Sequence, residues 1–573
     1  MLDILKRDGG RVKRRVMTRA TSPSSPKMST KAGQPKGHGM WVYAAIGGIT
    51  LLALLGYRYN RNIATSSSQG ASQASDQDYK PQQKKTMNQV VPPVTGTTPG
   101  AKTDWTSPKF YPPSVLKKYK DILEQLKEVK SENRVGFFTR LPALTTSEVD
   151  GILHHNESSY NPLSSFEVKS GPNAGTKLGI RVDMNQVASN SPIEDYMTFS
   201  TLQGPSVDEA AASNLKIMFG MFDGHAGYLC AEYITENIAS TLNEAIAAVA
   251  KHRGSQNPEE KKANDNSAED DSAFSINTIV RNLAGNLPDD VSSTTLALAA
   301  GFTRLDHAIV DEPLVHYRKN AGNVDLDKLF GKSVSGSSGL VAVVDVGESK
   351  VTVANAGDSR AILGVRTSTG KWRAVPLSVD QNPKNPKEFA RLAKEHPGEE
   401  LTLSARGRLL GALAMSRAFG DCRYKWPLEI QLELFPKLHK RGHYYATRAN
   451  NFYTPPYLTA YPDIIEHTLN YATDKFIIMA SDGLLDHLNN QEAVDIMGRW
   501  WDANKGSSSG QTNGDKSGME TNAATHLIRQ AFENDPRGLW GRQRISRLLA
   551  IPPPHSRRYR DDISISVIFL DQQ

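Results

Sequence analysis

Leu215-Lys216-Ile217-Met218-Phe219-Gly220-Met221-Phe222 runs without a break into Asp223-Gly224-His225-Ala226-Gly227. The first eight residues form a short apolar run with the length and aromatic content of a buried strand. The next five carry an acid and an imidazole between small residues, ahead of a helical pattern over 227–251. The arrangement recurs. Phe476-Ile477-Ile478-Met479-Ala480 leads into Ser481-Asp482-Gly483, and Asp561-Asp562 stands directly before the run 563–570. Glu194-Asp195 follows Pro192-Ile193, and Asp380 closes Leu377-Ser378-Val379. A single Asp-Gly is ordinarily a turn, because both residues suit its backbone geometry. Several acids at strand ends mean more, since distant strands can bring them together. An all-oxygen carboxylate set is what Mg2+ or Mn2+ selects.

Further strand-like runs lie at 340–346, 350–353 and 361–365, and helical patterns at 292–310, 388–395 and 491–501. The links Gly347-Glu348-Ser349 and Ala356-Gly357-Asp358 are too short for a parallel crossover and predict antiparallel hairpins. Ile563-Ser564-Ile565-Ser566-Val567 alternates with period two, which predicts one buried face and one wetter face. The class is α+β, antiparallel strands with helices packed on them.

The 573 residues are 38% hydrophobic and 23% charged, which excludes a fully disordered chain. With only Cys230 and Cys422, a disulfide scaffold and a CxxC metal knuckle are excluded as well. The net charge of +7 is concentrated at one end: residues 1–39 hold ten Lys/Arg against Asp3 and Asp8. The remainder is close to neutral and offers no electrostatic footprint for nucleic acid. The tail is rich in Arg, Lys and Ser, the composition of a mitochondrial presequence. Residues 40–57, MWVYAAIGGITLLALLGY, carry no charge and are near the shortest length that spans a bilayer core. A buried core helix is the alternative, but polar flanks leave no core nearby. The expectation is one N-terminal transmembrane helix that anchors the chain to the mitochondrial inner membrane, with the body in the matrix or the intermembrane space. Residues 58–110 read as a polar linker. Residues 111–573 read as the folded body, with insertions near 251–272, 427–455 and 503–522.

Six stretches follow one another in order: Phe222-Asp223-Gly224-His225-Ala226-Gly227, Ser335-Gly336-Ser337-Ser338-Gly339, Ala356-Gly357-Asp358-Ser359-Arg360, Ser416-Arg417-Ala418-Phe419-Gly420-Asp421, Ala480-Ser481-Asp482-Gly483 and Arg560-Asp561-Asp562. Together they resemble the motifs of the metal-dependent protein phosphatases (type 2C), over roughly 180–570. Residues 189–195, Arg408-Leu409-Leu410-Gly411, Tyr424-Lys425-Trp426 and 454–460 resemble that family's pyruvate dehydrogenase phosphatase branch, in a fungal-type membrane-anchored form.

The resemblance implies an α-β-β-α fold, an antiparallel β-sandwich flanked by helices. It also implies hydrolysis of phosphoserine or phosphothreonine by a hydroxide bound to two Mg2+ or Mn2+ ions, without a phosphoenzyme. Carried over by motif, Asp223 bridges the ions, the Gly224 carbonyl binds one, and Asp482 and Asp561 bind the other. Glu194 and Asp195 hold metal-bound waters, and Asp380 with Asp482 supports a weaker third ion. His225 is the implied general acid, and Asp562 stands where many relatives have Asn. The family's phosphate-gripping arginine falls four residues before Glu194, where this chain has Asn190. Phosphate is then left to the ions and to other donors. The implied partner is a phosphoprotein, the pyruvate dehydrogenase complex or another of mitochondria. The competing expectation is a phosphoprotein-binding scaffold of pseudophosphatase type. Such proteins usually lose a metal carboxylate, and none of this set is missing.

Overall fold

The computed structural model describes residues 111–169, 171–202, 215–254, 272–288, 290–320, 324–438, 452–504, 520–534 and 543–572. The basic tail 1–39, the apolar run 40–57 and the linker 58–110 lie outside the described residues, as do 255–271, 439–451 and 505–519 of the expected insertions. Among the described residues no helix is long and apolar enough to cross a membrane. The edges of the expected insertions are helical: Leu229–Gly254 runs past 251, Leu428–Leu434 is a helix, and Asn490–Asn504 runs past 503.

In chain order the strands are β1 (Ser158–Glu167), β2 (Lys177–Val187), β3 (Asp195–Leu202), β4 (Lys216–His225), β5 (Gly336–Ser337), β6 (Gly339–Asp345), β7 (Lys350–Ala356), β8 (Arg360–Arg366), β9 (Trp372–Pro376), β10 (Ser404–Ala405), β11 (Arg408–Leu409), β12 (Phe419–Gly420), β13 (Asp463–Thr468), β14 (Asp474–Ala480) and β15 (Ile563–Gln572). One sheet is ordered β1-β2-β15-β14-β8-β9, the other β12-β5-β4-β6-β7-β13 with β3 also paired to β4, and β10 with β11 makes a small separate pair. Neighbouring strands run antiparallel, as the short links require. The link 347–349 does close a hairpin, β6 on β7. The link 356–358 does not. β7 and β8 belong to different sheets, so Gly357 and Asp358 carry the chain from one sheet to the other. A short turn reads the same in sequence whether it closes a hairpin or crosses between layers.

Alternate residues of each strand explain the layering. Met197, Phe199, Ile217, Phe219, Met221, Ile477, Met479 and Ile568 share the core between the sheets. Their neighbours Met218, Phe222, Val341 and Val343 pack outward with Ile234, Ile238 and Leu242 of Leu229–Gly254. On the other sheet Ile478, Ala480, Ile565 and Val567 pack outward with Val494 and Met497 of Asn490–Asn504 and with Leu527 and Ile528 of Ala523–Glu533. Helix, sheet, sheet and helix follow in that order. The alternation in β15 therefore has no wet face. Ser564 and Ser566 are buried, with Ser564 Oγ 3.4 Å from Gln186 Nε2 and Ser566 Oγ 3.4 Å from Met197 Sδ. The second sheet covers the face that a single sheet would leave to water.

Candidate metal centre

Strand register brings the acids together. In the β3–β4 pair Asp195 stands directly opposite Asp223. Beside them the Gly224 N–H donates to the Glu194 carbonyl at 3.1 Å. A Cβ on Gly224 would lie 2.4 Å from that same oxygen, so this close approach admits only glycine. In the facing sheet β14 and β15 pair Ala480 with Ile565, which sets Asp482 and Asp561 at neighbouring strand ends. The Ser481 N–H donates to the Ser564 carbonyl at 3.1 Å, and the Ser564 N–H donates to Ser481 Oγ at 3.0 Å. The crossing from β7 to β8 adds Asp358. One carboxylate oxygen from each of Asp223, Asp358 and Asp482 lies within 4.8 Å of the other two.

Asp358 belongs to the 356–360 motif, but nothing in the sequence marks it as converging with acids 135 residues before and 124 after it. Asp380, the acid expected beside a third ion, lies outside this triplet. Arg360 holds it at both oxygens, with Nε 2.6 Å from Oδ1 and Nη2 2.7 Å from Oδ2. Asp562 has a clear task. Its Oδ1 accepts from the N–H groups of Ser189 (2.5 Å) and Asn190 (2.9 Å), and its Oδ2 from the Glu194 N–H and Asn190 Nδ2, both at 3.0 Å. It pins the loop that delivers Glu194, while Glu194 Oε1 accepts from the Gly227 N–H at 2.8 Å.

Packing acids this closely, out of water, disfavours their charged forms. Burial first, then repulsion from Asp358 and Asp486, pushes Asp482 up to about 7. Burial and Asp482 push Asp561 up to about 7 against the pull of Arg557. Burial and Asp562 bring Glu194 to about 7, and burial and Asp380 bring Asp358 to about 6. Burial and neighbouring acids hold Asp223 and Asp195 well above the usual carboxylate range. Asp195 Oδ2 and Asp358 Oδ1 are buried without a hydrogen-bond partner among the described residues. Convergent, under-satisfied carboxylate oxygens with no nitrogen or sulfur donor in the triplet fit a hard divalent cation.

His225 ends β4, with Nε2 2.6 Å from Asp421 Oδ2. The two meet because His225 and Gly420 both stand opposite Gly336, one through β4–β5 and the other through β12–β5. Burial works to lower the imidazole's pKa, but the charge and hydrogen bond of Asp421 outweigh it and the net shift is upward. Asp421 lies in the 416–421 motif. Only the pairing of these short strands reveals its partner.

Residues 312–536 match the family described as protein phosphatase 2C. The chain is 34% identical over 407 residues to a protein phosphatase 2C homolog of Schizosaccharomyces pombe, covering 69% of this chain and 81% of that one. It is 33% identical over 468 residues to the mitochondrial pyruvate dehydrogenase [acetyl-transferring] phosphatase 1 of Homo sapiens, covering 74% and 83% of the two chains. Among solved structures, a serine-threonine phosphatase 2C from Toxoplasma gondii aligns with 18% identity and a TM-score of 0.37, covering 72% of this chain and 99% of that one.

Proposed function

Because the chain belongs to the protein phosphatase 2C family, with pyruvate dehydrogenase phosphatases among its relatives, we propose that it is a Mg2+- or Mn2+-dependent protein serine/threonine phosphatase of mitochondria. Its substrate is a phosphoprotein, pyruvate dehydrogenase first among the candidates. The observation that carries this reading is the convergence of Asp223, Asp358 and Asp482 from both sheets. Asp223, Asp482, Asp561 and the Gly224 carbonyl would hold two ions, with Asp358 beside them, and Glu194 and Asp195 would orient water at their edge. Bound there, a divalent pair supplies a nucleophile at neutral pH and neutralises phosphoryl charge. His225, whose protonated form Asp421 favours, would give a proton to the departing serine or threonine oxygen. Asp562 keeps the Glu194 loop in register, so that its carboxylate needs no rearrangement as charge develops.

The test is hydrolysis of a phosphopeptide with and without Mn2+. Activity requires the metal and drops about 100- to 1000-fold in Asp482→Asn, the scale seen when charge stabilisation at a reacting centre is lost. Hydrolysis that persists in EDTA, or in that variant, removes the two-ion reading. Residues 1–39 and 40–57 are proposed as presequence and inner-membrane anchor of the body 111–573. Protease treatment of intact mitochondria and of mitoplasts decides the substrate question. A body protected in mitoplasts keeps pyruvate dehydrogenase within reach; a body cleaved there excludes it.

A further inference from the structure

Position 190 is where the resemblance expects a guanidinium for the substrate's phosphoryl group, and Asn190 cannot supply one. Its side-chain amide is also committed, with Nδ2 3.0 Å from Asp562 Oδ2 and 3.4 Å from Glu194 Oε2. A phosphoryl dianion held over two ions still exposes oxygens that an arginine fork suits better than any neutral donor. Among the described residues three arginines adjoin these acids by contact or in sequence. Arg360 is spent: Nε and Nη2 hold Asp380, and Nη1 donates to Asn490 Oδ1 at 3.1 Å. Arg560 is buried over the ring of Phe532; its guanidinium nitrogens have no hydrogen-bond partner among the described residues, but they are closed to solvent and so to a protein-borne phosphoryl group. Arg557 differs from both. Its Nη2 lies 2.6 Å from Asp561 Oδ2, and its side chain is 51% exposed. Among the described residues its guanidinium makes that one ion pair, which leaves Nε and Nη1 without a protein acceptor.

We propose that Arg557 is the residue that binds the substrate's phosphoryl group and the product phosphate, taking over from the other end of the chain the task that position 190 does not perform. The inference rests on the phosphatase reading above and deepens it. Arg557 reaches the site from the short helical turn His555–Arg558, four residues before Asp561, so the backbone that places a metal ligand also places the fork. Its charge is felt at Glu194, Asp482 and Asp561, which locates it beside the acids rather than on a distant surface. A cation held by Asp561 would share that carboxylate's charge and weaken its hold on Nη2, leaving the guanidinium to phosphoryl oxygens. Arg557 thus guards the acids when the site is empty of ions and grips phosphate when it is filled.

The experiment is calorimetric titration of the Mn2+-loaded full chain with inorganic phosphate, beside a phosphopeptide KM and a separate Mn2+ titration. In Arg557→Ala the phosphate Kd and the KM both rise ~10-fold or more, the range expected for a lost charge-assisted pair, while Mn2+ affinity stays equal or tightens. Arg557→Lys falls between, because it keeps the charge and loses the fork. Adding Asn190→Arg to Arg557→Ala recovers phosphate affinity. An unchanged phosphate Kd in both Arg557 variants overturns the proposal, and so does a parallel loss of Mn2+ binding, which would make Arg557 an organiser of the acids. A wild-type chain without Mn2+-dependent phosphate binding or hydrolysis would sink the phosphatase reading itself. A wild type active with Mn2+ beside an Arg557→Ala variant of unchanged phosphate affinity would sink only the role of Arg557.

Discussion

His225 shows how a single contact sets a proton's availability. Burial favours the neutral imidazole, Asp421 favours the charged one, and the carboxylate 2.6 Å away prevails. A general acid must carry its proton when the leaving group departs. An upward shift extends that state to higher pH, and the kcat profile falls only as pH rises through the raised pKa. Replacing Asp421 by Asn removes the stabilising charge but leaves the burial, so the His225 pKa drops and the alkaline limb of kcat moves to lower pH. Since one pKa unit is a tenfold change in protonated fraction above the pKa, a downshift of about one unit is resolvable in a pH series. A limb that stays in place in Asp421→Asn would take the general-acid role away from His225. The same scale explains why Asp562, unlike Asp561, reads poorly from sequence. Its role lies in donors 368 to 373 residues away, on a loop whose partner only the fold reveals.

At the scale of elements, legibility followed chemistry. β4, β14 and β15 are visible in the sequence because Met, Phe and Ile alternate between two apolar layers. β1 and β2 are not. β1 is a polar edge strand with a proline and register shifts, and β2 interrupts its apolar run with Asp183, Asn185 and Gln186, all three buried. Those polar residues are the strand's ties to its surroundings. Asp183 accepts from Ser159 Oγ at 2.8 Å and from the Ala523 N–H at 3.0 Å. Asn185 Nδ2 donates to the Leu153 carbonyl at 2.7 Å and to Thr525 Oγ1 at 2.8 Å, joining β2 to the helices Thr146–Leu153 and Ala523–Glu533. Strand propensity alone would favour Val at 185. The contacts say the opposite. Asn185→Val leaves a buried carbonyl without its donor and should lower the unfolding free energy by about 1–3 kcal/mol, read as a lower urea midpoint at unchanged slope. A neutral or stabilising result would mean that these polar ties do not hold the helices to the sheet. The link 356–358 obeys the same rule at the site: the acid it carries joins the triplet because that turn changes sheets.

For the molecule as a whole, the two sheets meet the helical layers and each other through apolar cores, but at one edge they face each other through acids, and this sets how the metal-free protein responds to pH. Glu194, Asp482 and Asp561 titrate near 7 and Asp358 near 6, where unfolded carboxylates titrate near 4. Between those values the folded chain binds more protons than the unfolded one, so stability falls as pH rises. The metal-free protein should therefore melt at a higher temperature near pH 5 than near pH 7.5, on account of these groups. Bound divalent ions should reverse the slope. Their ligands must be deprotonated, so affinity for Mn2+ rises across pH 6–7 and binding releases protons. Saturating Mn2+ at 100 times its Kd adds about 2.7 kcal/mol of stability per site by mass action alone. The sign of dTm/dpH should then differ between EDTA and Mn2+, and Asp482→Asn should flatten the EDTA curve because it removes one repelling charge. If Tm in EDTA instead rose from pH 5 to 7.5 in the wild type and the variant alike, the acids would be paid for elsewhere in the fold, and the sandwich edge would not be the strained, cation-ready seam that its crowding indicates.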